Sequence, residues 1–421
     1  MKLKNILLFI GQWSIIFLMM TSVPFITTYL YLSEKFYYPV IFILNIIILI
    51  ILILLILLIE KNLIKIERKA KNWISFLIFG LVGYFIFSVY HLMVNLSTTE
   101  ARGFIGNLIK VSIAFYVIFF SMYCYQDMVK RLFIATTFMT VLSIILFFML
   151  VSGFFLISPE EVLFENRLNF NFFLGNTNVY WVYGQSQVIR IAGFMEEPGA
   201  LALLLTFSLI LNELTLRSIL LRILFVIGGL LTFSLAFFIS LFFFIVFWIF
   251  NVKNIKLSRI VISFMITVPL SLAITALYKS ELVQENAALT DMVEWSISRF
   301  SYDQEKGIFQ GDNRFQRSFD ANSYLFGDGL SVTNVSSPQA LLMRYGIITS
   351  IMVFLFLPFL FYRMIFNHGY VSSLLWFIIF INLLQRPEFY SVSNILLITL
   401  IYLAPPSKLS SSCRCKSLVT S

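Results

Sequence analysis

From Pro39 to Ile59 the chain carries no charged residue, and this is the feature that most limits its fold. About 20 apolar residues in helical form cross roughly 30 Å of hydrocarbon. Comparable runs recur along most of the 421 residues, which are 60% hydrophobic and 12% charged with a mean hydropathy of +0.92. A soluble domain needs far more polar surface than this. Inside lipid the backbone must satisfy its own hydrogen bonds, as a helix or a closed barrel does, and these runs are too long for barrel strands. The expected fold is therefore an all-α polytopic membrane protein, one integral membrane domain over residues 1–421.

The apolar runs place about twelve transmembrane helices at 6–32, 37–59, 74–94, 107–124, 132–156, 199–213, 218–233, 235–250, 259–278, 338–362, 370–385 and 389–404. The stretch from Ile219 to Phe250 is long enough for two short helices, with Thr232-Phe233-Ser234 as the hairpin between them. One long helix there would invert the sidedness of everything downstream. Charge decides between the two counts. With the N-terminus inside, the cytoplasmic segments are the N-terminus, 60–73, 125–131, 214–217, 251–258, 363–369 and the tail. With their border residues they hold about eighteen of the 30 Lys and Arg but only about four of the 21 acids. Lys61, Lys65, Arg68, Lys69 and Lys71 form the strongest anchor, and Lys253, Lys256 and Arg259 agree with it. Both termini are thus expected in the cytoplasm, and sidedness rather than nucleic acid explains the net charge of +9. The run from Ile6 to Leu32 is too long for a signal-peptide core and counts as the first span.

Two segments, 158–198 and 279–337, exceed ordinary loop lengths and fall on the external side in this topology, as functional loops do. The first ends in Arg190-Ile191-Ala192-Gly193-Phe194-Met195-Glu196-Glu197-Pro198. Pro198 suits the first turn of a helix, with Glu196 and Glu197 near its positive end. Arg190 could grip a phosphate while a glutamate takes a proton from a sugar hydroxyl. The plainer alternative is that the acids stabilise a helix start and Arg190 anchors at the interface. The second loop carries Arg299, Arg314 and Arg317, then Phe326-Gly327-Asp328-Gly329, with Arg344 in the following span. Arginines outside the membrane run against the sidedness bias, and a planar guanidinium suits bidentate binding of a diphosphate. They could equally pair with Asp303, Glu305, Asp312 and Asp320 in a solvated loop. Gly327 and Gly329 read as turn positions that let backbone approach a ligand, or as an ordinary tight turn.

Other chemistries find no support in the sequence. His91 and His368 are the only histidines, and Cys124, Cys413 and Cys415 suggest neither a disulfide nor a zinc site. There is no Walker loop, dinucleotide fingerprint or HExxH, and no acid at a span centre of the kind an ion-coupled transporter uses. No cofactor and no metal are expected.

The chain resembles the bacterial O-antigen and capsule polymerases of the Wzy type and the related O-antigen ligases. Residues Arg190 to Pro198 are similar to the family's Arg-x-x-Gly-x-x-x-Glu-Pro segment. Thr232-Phe233-Ser234 resembles its Thr-x-Ser hairpin, with Leu235 where an arginine often follows. Tyr324-Leu325-Phe326-Gly327-Asp328-Gly329 looks like its Phe-Gly-x-Gly loop end. The resemblance implies transfer of a growing glycan from a polyprenyl diphosphate onto the next lipid-linked repeat unit, at the outer face of the bacterial cytoplasmic membrane. It also implies work alongside a flippase and a chain-length regulator. Ligases of the family typically carry a histidine in the second large loop. None stands between Lys279 and Arg363, which favours polymerase over ligase. A flippase for the same lipid-linked units is the alternative from another class, and it needs a charged central cavity rather than long external loops.

Overall fold

The computed structural model describes residues 2–20, 50, most of 82–93, 112–152, 160–164, 167–172, 175–182, 186–195, 197–251, 302–303, 308–309, 325, 327, 338–385 and 392–405. The fold is mostly helical. In chain order the elements are α1 (Lys2–Met20), α2 (Ser112–Tyr123), α3 (Tyr125–Ser152), strands β1 (Glu160–Phe164), β2 (Arg167–Phe172), β3 (Gly175–Val182) and β4 (Ser186–Gly193), then α4 (Pro198–Leu214), α5 (Ile219–Leu231) and α6 (Leu235–Asn251). A two-residue pair follows, β5 (Tyr302–Asp303) and β6 (Ile308–Phe309), then α7 (Pro338–Phe354), α8 (Phe356–His368), α9 (Ser373–Gln385) and α10 (Val392–Leu403).

Two runs are long and apolar enough to cross a membrane, Tyr125–Leu150 and Tyr345–His368. The shorter apolar helices include α4, α5 and α6. The expected spans at 37–59 (save Ile50) and 259–278 lie outside the described residues, as does nearly all of the second loop, 279–337.

The all-α expectation needs one correction. The first loop forms a four-stranded antiparallel meander in the order β1-β2-β3-β4, with pairs such as Glu160↔Asn171, Arg167↔Tyr180 and Asn178↔Arg190. Arg167-Leu168-Asn169-Phe170-Asn171-Phe172 alternates polar and apolar with the two-residue period of a strand, and aromatic and β-branched residues fill β3. The register shifts between Asn176 and Thr177, so that Asn176 lies opposite Gly193 at the end of β4.

The run expected as one span at 338–362 is interrupted at Gly346, which has non-helical angles within α7 (φ 71, ψ 172). Leu355, a turn residue between α7 and α8, keeps helical angles (φ −57, ψ −23), so Tyr345–His368 stays one run. Pro358 supplies the reason for the turn at Leu355. It lacks an N–H, and its ring crowds the carbonyl four residues back, that of Phe354.

By contact the chain divides into two compact units, 1–136 with 210–218 and 314–421, and 137–209 with 219–313. In the first, α1 packs against α10. Arg131 holds α1 by donating from Nε to Gln12 Oε1 at 2.6 Å, with its guanidinium 4.5 Å from the Phe9 ring centre and 5.4 Å from that of Trp13. Gly11 allows a close approach: a Cβ there would meet Phe120 Cζ and the Tyr116 hydroxyl at 2.5 Å. Phe87 rests edge-on against Tyr345 at 4.9 Å. Trp376 Nε1 donates to the Leu357 carbonyl at 2.9 Å and joins α9 to α8. Residues Ile395 to Ile398 of α10 are all buried, so this helix is enclosed on every side within its unit.

In the second unit the face of α3 bearing Met139, Thr140 and Ser143 receives two glycines. A Cβ at Gly193 would meet Met139 Cγ at 2.8 Å, and one at Gly228 of α5 would meet Thr140 Cγ2 at 2.5 Å. Small residues let backbones approach in this way and are the usual means of close helix packing in lipid. At Gly229 the space a side chain would need is taken by the Phe237 ring of α6, which ties α5 to its hairpin partner.

Candidate functional site

The segment that leaves the sheet and enters α4 is shaped by two features. Gly193 ends β4 at φ +61, in the left-handed region, and Met195 N then donates to the Ala192 carbonyl at 3.0 Å to close the turn. The Glu197 carbonyl accepts from Ala200 N at 3.0 Å and from Leu201 N at 3.4 Å. Glu197 is thus the cap residue and Pro198 the first helical position, where a missing N–H costs nothing. Glu197 itself is half-buried.

Three residues before the glycine, Arg190 turns inward and is only 5% exposed. Its Nε donates to the Thr232 carbonyl at 2.7 Å and its Nη2 to the Phe233 carbonyl at 3.2 Å. Those carbonyls lie just past the end of α5, where backbone acceptors have no partner within the helix and where a cation is favoured by the helix dipole. The hairpin adds its own bonds. Thr232 Oγ1 and Thr232 N both donate to the Gly229 carbonyl, at 2.6 and 3.2 Å, and Phe233 N donates to the Leu230 carbonyl at 3.0 Å. Thr232 is fully buried and Phe233 is held at φ +46. The Ser234 carbonyl accepts from Phe238 N at 3.1 Å and starts α6.

Arg190 and the Thr232-Phe233-Ser234 hairpin, separate features in the sequence, are therefore one local structure. A guanidinium is suited to this because its donors are fixed in a planar fork and stay charged when buried. The expectation that Arg190 meets a diphosphate has to accommodate these two backbone bonds. Its burial was not legible, since nothing in the sequence pairs a loop arginine with a hairpin 42 residues later.

Among the other residues singled out, Gly327 adopts φ +74, as a turn glycine does, and the carbonyl of nearby Leu325 accepts from Ile348 N of α7 at 3.4 Å. The Arg344 backbone belongs to α7. Glu196, Arg299, Arg314, Arg317, Asp328 and Gly329 lie outside the described residues. Among the described residues, no group of His, Cys, Asp and Glu is arranged to hold a metal ion. Compared with known proteins, the chain matches no protein family, no curated protein and no solved structure.

Proposed function

We propose that the chain polymerises polyprenyl-diphosphate-linked oligosaccharide repeat units at the outer face of the bacterial cytoplasmic membrane. One observation carries this reading. The Arg-x-x-Gly-x-x-x-Glu-Pro segment and the Thr-x-Ser hairpin, two of the features on which the resemblance rests, meet through the Arg190 guanidinium. In the reaction an acceptor hydroxyl attacks the anomeric carbon of the donor glycan. The carbon–oxygen bond to the diphosphate breaks, and the polyprenyl diphosphate leaves with the bonding pair. Glu197, or Glu196 beside it, takes the hydroxyl proton. Arg299, Arg314, Arg317 and Arg344 stabilise the charge that develops on the leaving diphosphate, and the Gly327-Asp328-Gly329 turn brings backbone to the same ligand. Arg190 acts by holding the hairpin against the end of the first loop. No metal or cofactor is required.

The twelve-span topology with both termini in the cytoplasm belongs to this proposal, and the contacts within each unit support it. Arg190 and Thr232 both fall on its external side. Arg363 and Tyr402, joined by a hydrogen bond of 2.9 Å from Arg363 Nε to the Tyr402 carbonyl, both fall at its cytoplasmic side. Phe87 and Tyr345 meet toward the external ends of their helices.

Complementation of a deletion strain tests the assignment. Glu197→Gln, Arg314→Ala and Arg317→Ala are each expected to leave protein in the membrane but cut polymer length on a polysaccharide gel to one or a few repeats. Unchanged length at normal expression in all three variants removes these roles. Labelling of single cysteines introduced at 185, in the first loop, and at 317 checks sidedness, because reaction only from the cytosol puts the site on the wrong face.

A further inference from the structure

The charges of α3 all stand at one end. Only Asp127, Lys130 and Arg131 are charged, and the residues that follow, Leu132 to Ser152, carry none. α1 repeats the arrangement, with Lys2 and Lys4 ahead of an uncharged run from Asn5 to Met20. Arg131 is therefore the last cation before the apolar body of Tyr125–Leu150, a run long enough to cross a membrane. In a bilayer this is the level at which headgroups give way to hydrocarbon.

The two helices meet at this arginine. Its Nε donates at 2.6 Å to Oε1 of Gln12, a residue only 2% exposed, and its guanidinium lies 4.5 Å from the Phe9 ring centre and 5.4 Å from that of Trp13. Phe9 and Trp13 stand one turn apart on α1 with ring centres 6.4 Å apart, so they wall one side of the charge while Gln12 fixes its near end. All four residues belong to one compact unit. The cradle lacks an anion. The two terminal nitrogens of the guanidinium have no hydrogen-bond acceptor among the described residues, and neither Asp127, one turn earlier, nor any other described carboxylate forms an ion pair with it. Ring faces attract a cation without neutralising it, and a part-buried charge among apolar groups is costly until a counter-charge reaches it. Phe17, one turn past Trp13 on α1, and Ile134, one turn past Arg131 on α3, are both exposed. A cation followed along both helices by exposed apolar surface suits an anionic head that carries hydrocarbon tails.

We propose that Arg131, cradled by Gln12, Phe9 and Trp13, binds the phosphate of an anionic phospholipid. Gln12 occupies Nε and leaves the terminal nitrogens to grip the phosphate oxygens, and the acyl chains run past Ile134 and Phe17. In the twelve-span topology this lipid belongs to the cytoplasmic leaflet, but the site does not depend on the polymerase reading.

The full chain, purified in a zwitterionic detergent, provides the test through native mass spectrometry and thermal unfolding. The probes are phosphatidylglycerol, phosphatidylcholine and inorganic phosphate at matched concentration. Phosphatidylglycerol is expected to be retained and to raise the unfolding midpoint more than phosphatidylcholine does. Arg131→Gln should weaken its retention about tenfold, the loss expected for a charge-assisted pair. Lys130→Gln removes the same charge from the next residue, which is exposed, and should change retention by about twofold at most. That difference separates a built site from the diffuse pull of basic residues on anionic lipid. Arg131→Lys guards against a folding defect: it keeps the charge and the apolar stem, so it should fold normally and still lose about threefold, because an ammonium offers no planar fork. Equal protection by phosphatidylcholine, equal losses in Arg131→Gln and Lys130→Gln, or full retention by Arg131→Lys overturns the proposal. Protection by inorganic phosphate alone overturns the lipid in favour of a soluble anion.

Discussion

Two tight turns between helices, Thr215–Ser218 after α4 and Thr232–Ser234 after α5, share an uncommon feature. Each forces a residue other than glycine into the left-handed region, Arg217 at φ +54 and Phe233 at φ +46. They are held in opposite ways. The first is closed by Asn212, three residues upstream of the turn, so everything it needs lies on one short piece of chain. The second is closed in part by Arg190, which comes from a β-strand 42 residues earlier. A turn that closes itself can carry an exposed side chain without consequences elsewhere. A turn closed from a distance couples its hairpin to whatever the distant residue is attached to, here the sheet of the first loop.

Substitutions can break or sharpen this contrast. The largest effect is expected from Arg190→Ala, which leaves one buried and one part-buried carbonyl without these donors and should destabilise by about 3 kcal/mol. Limited proteolysis should then cut within 158–198 faster, and an unchanged digestion rate would disprove the coupling. Asn212→Ala removes the two hydrogen bonds to Ser218 and a longer one to Glu213 Oε1 and should cost about 2 kcal/mol in thermal unfolding, but with no change in how fast the first loop is digested. Phe233→Gly should move the other way and stabilise by about 1 kcal/mol, since glycine adopts the left-handed angles without penalty; a lower unfolding midpoint would mean that the Phe233 side chain matters more than its backbone. Thr232→Val is the mildest change. It keeps the backbone bonds to Arg190 and loses only the hydroxyl bond to Gly229, for about 1 kcal/mol, and hydrogen exchange should quicken in the hairpin alone.

The helical parts of this picture were legible because apolar helices advertise themselves by long apolar runs. The hairpin at Thr232-Phe233-Ser234 and the helix start at Pro198 fall where run length and proline chemistry put them. The sheet was hidden by its composition: asparagines and acids among the aromatics read as a solvated loop, although the alternation in Arg167 to Phe172 is a strand signal. The turn at Leu355 was hidden for a different reason, since hydropathy does not register the proline three residues on. In the candidate site, Glu197 and Gly327 stand where local rules predict a cap and a turn. Arg190 does not, because its partners are set by tertiary packing that no local window contains.

The hairpin's length has a further consequence. α5 has 13 residues, a rise of roughly 20 Å; as a span of the proposed topology it would be about 10 Å short of an average hydrocarbon layer. In that topology lipid beside it thins, or neighbouring segments screen its ends. Acyl-chain length therefore becomes a physical handle on this hairpin: short-chain bilayers should relieve the mismatch there, and long-chain ones should strain first the turn that Arg190 holds closed.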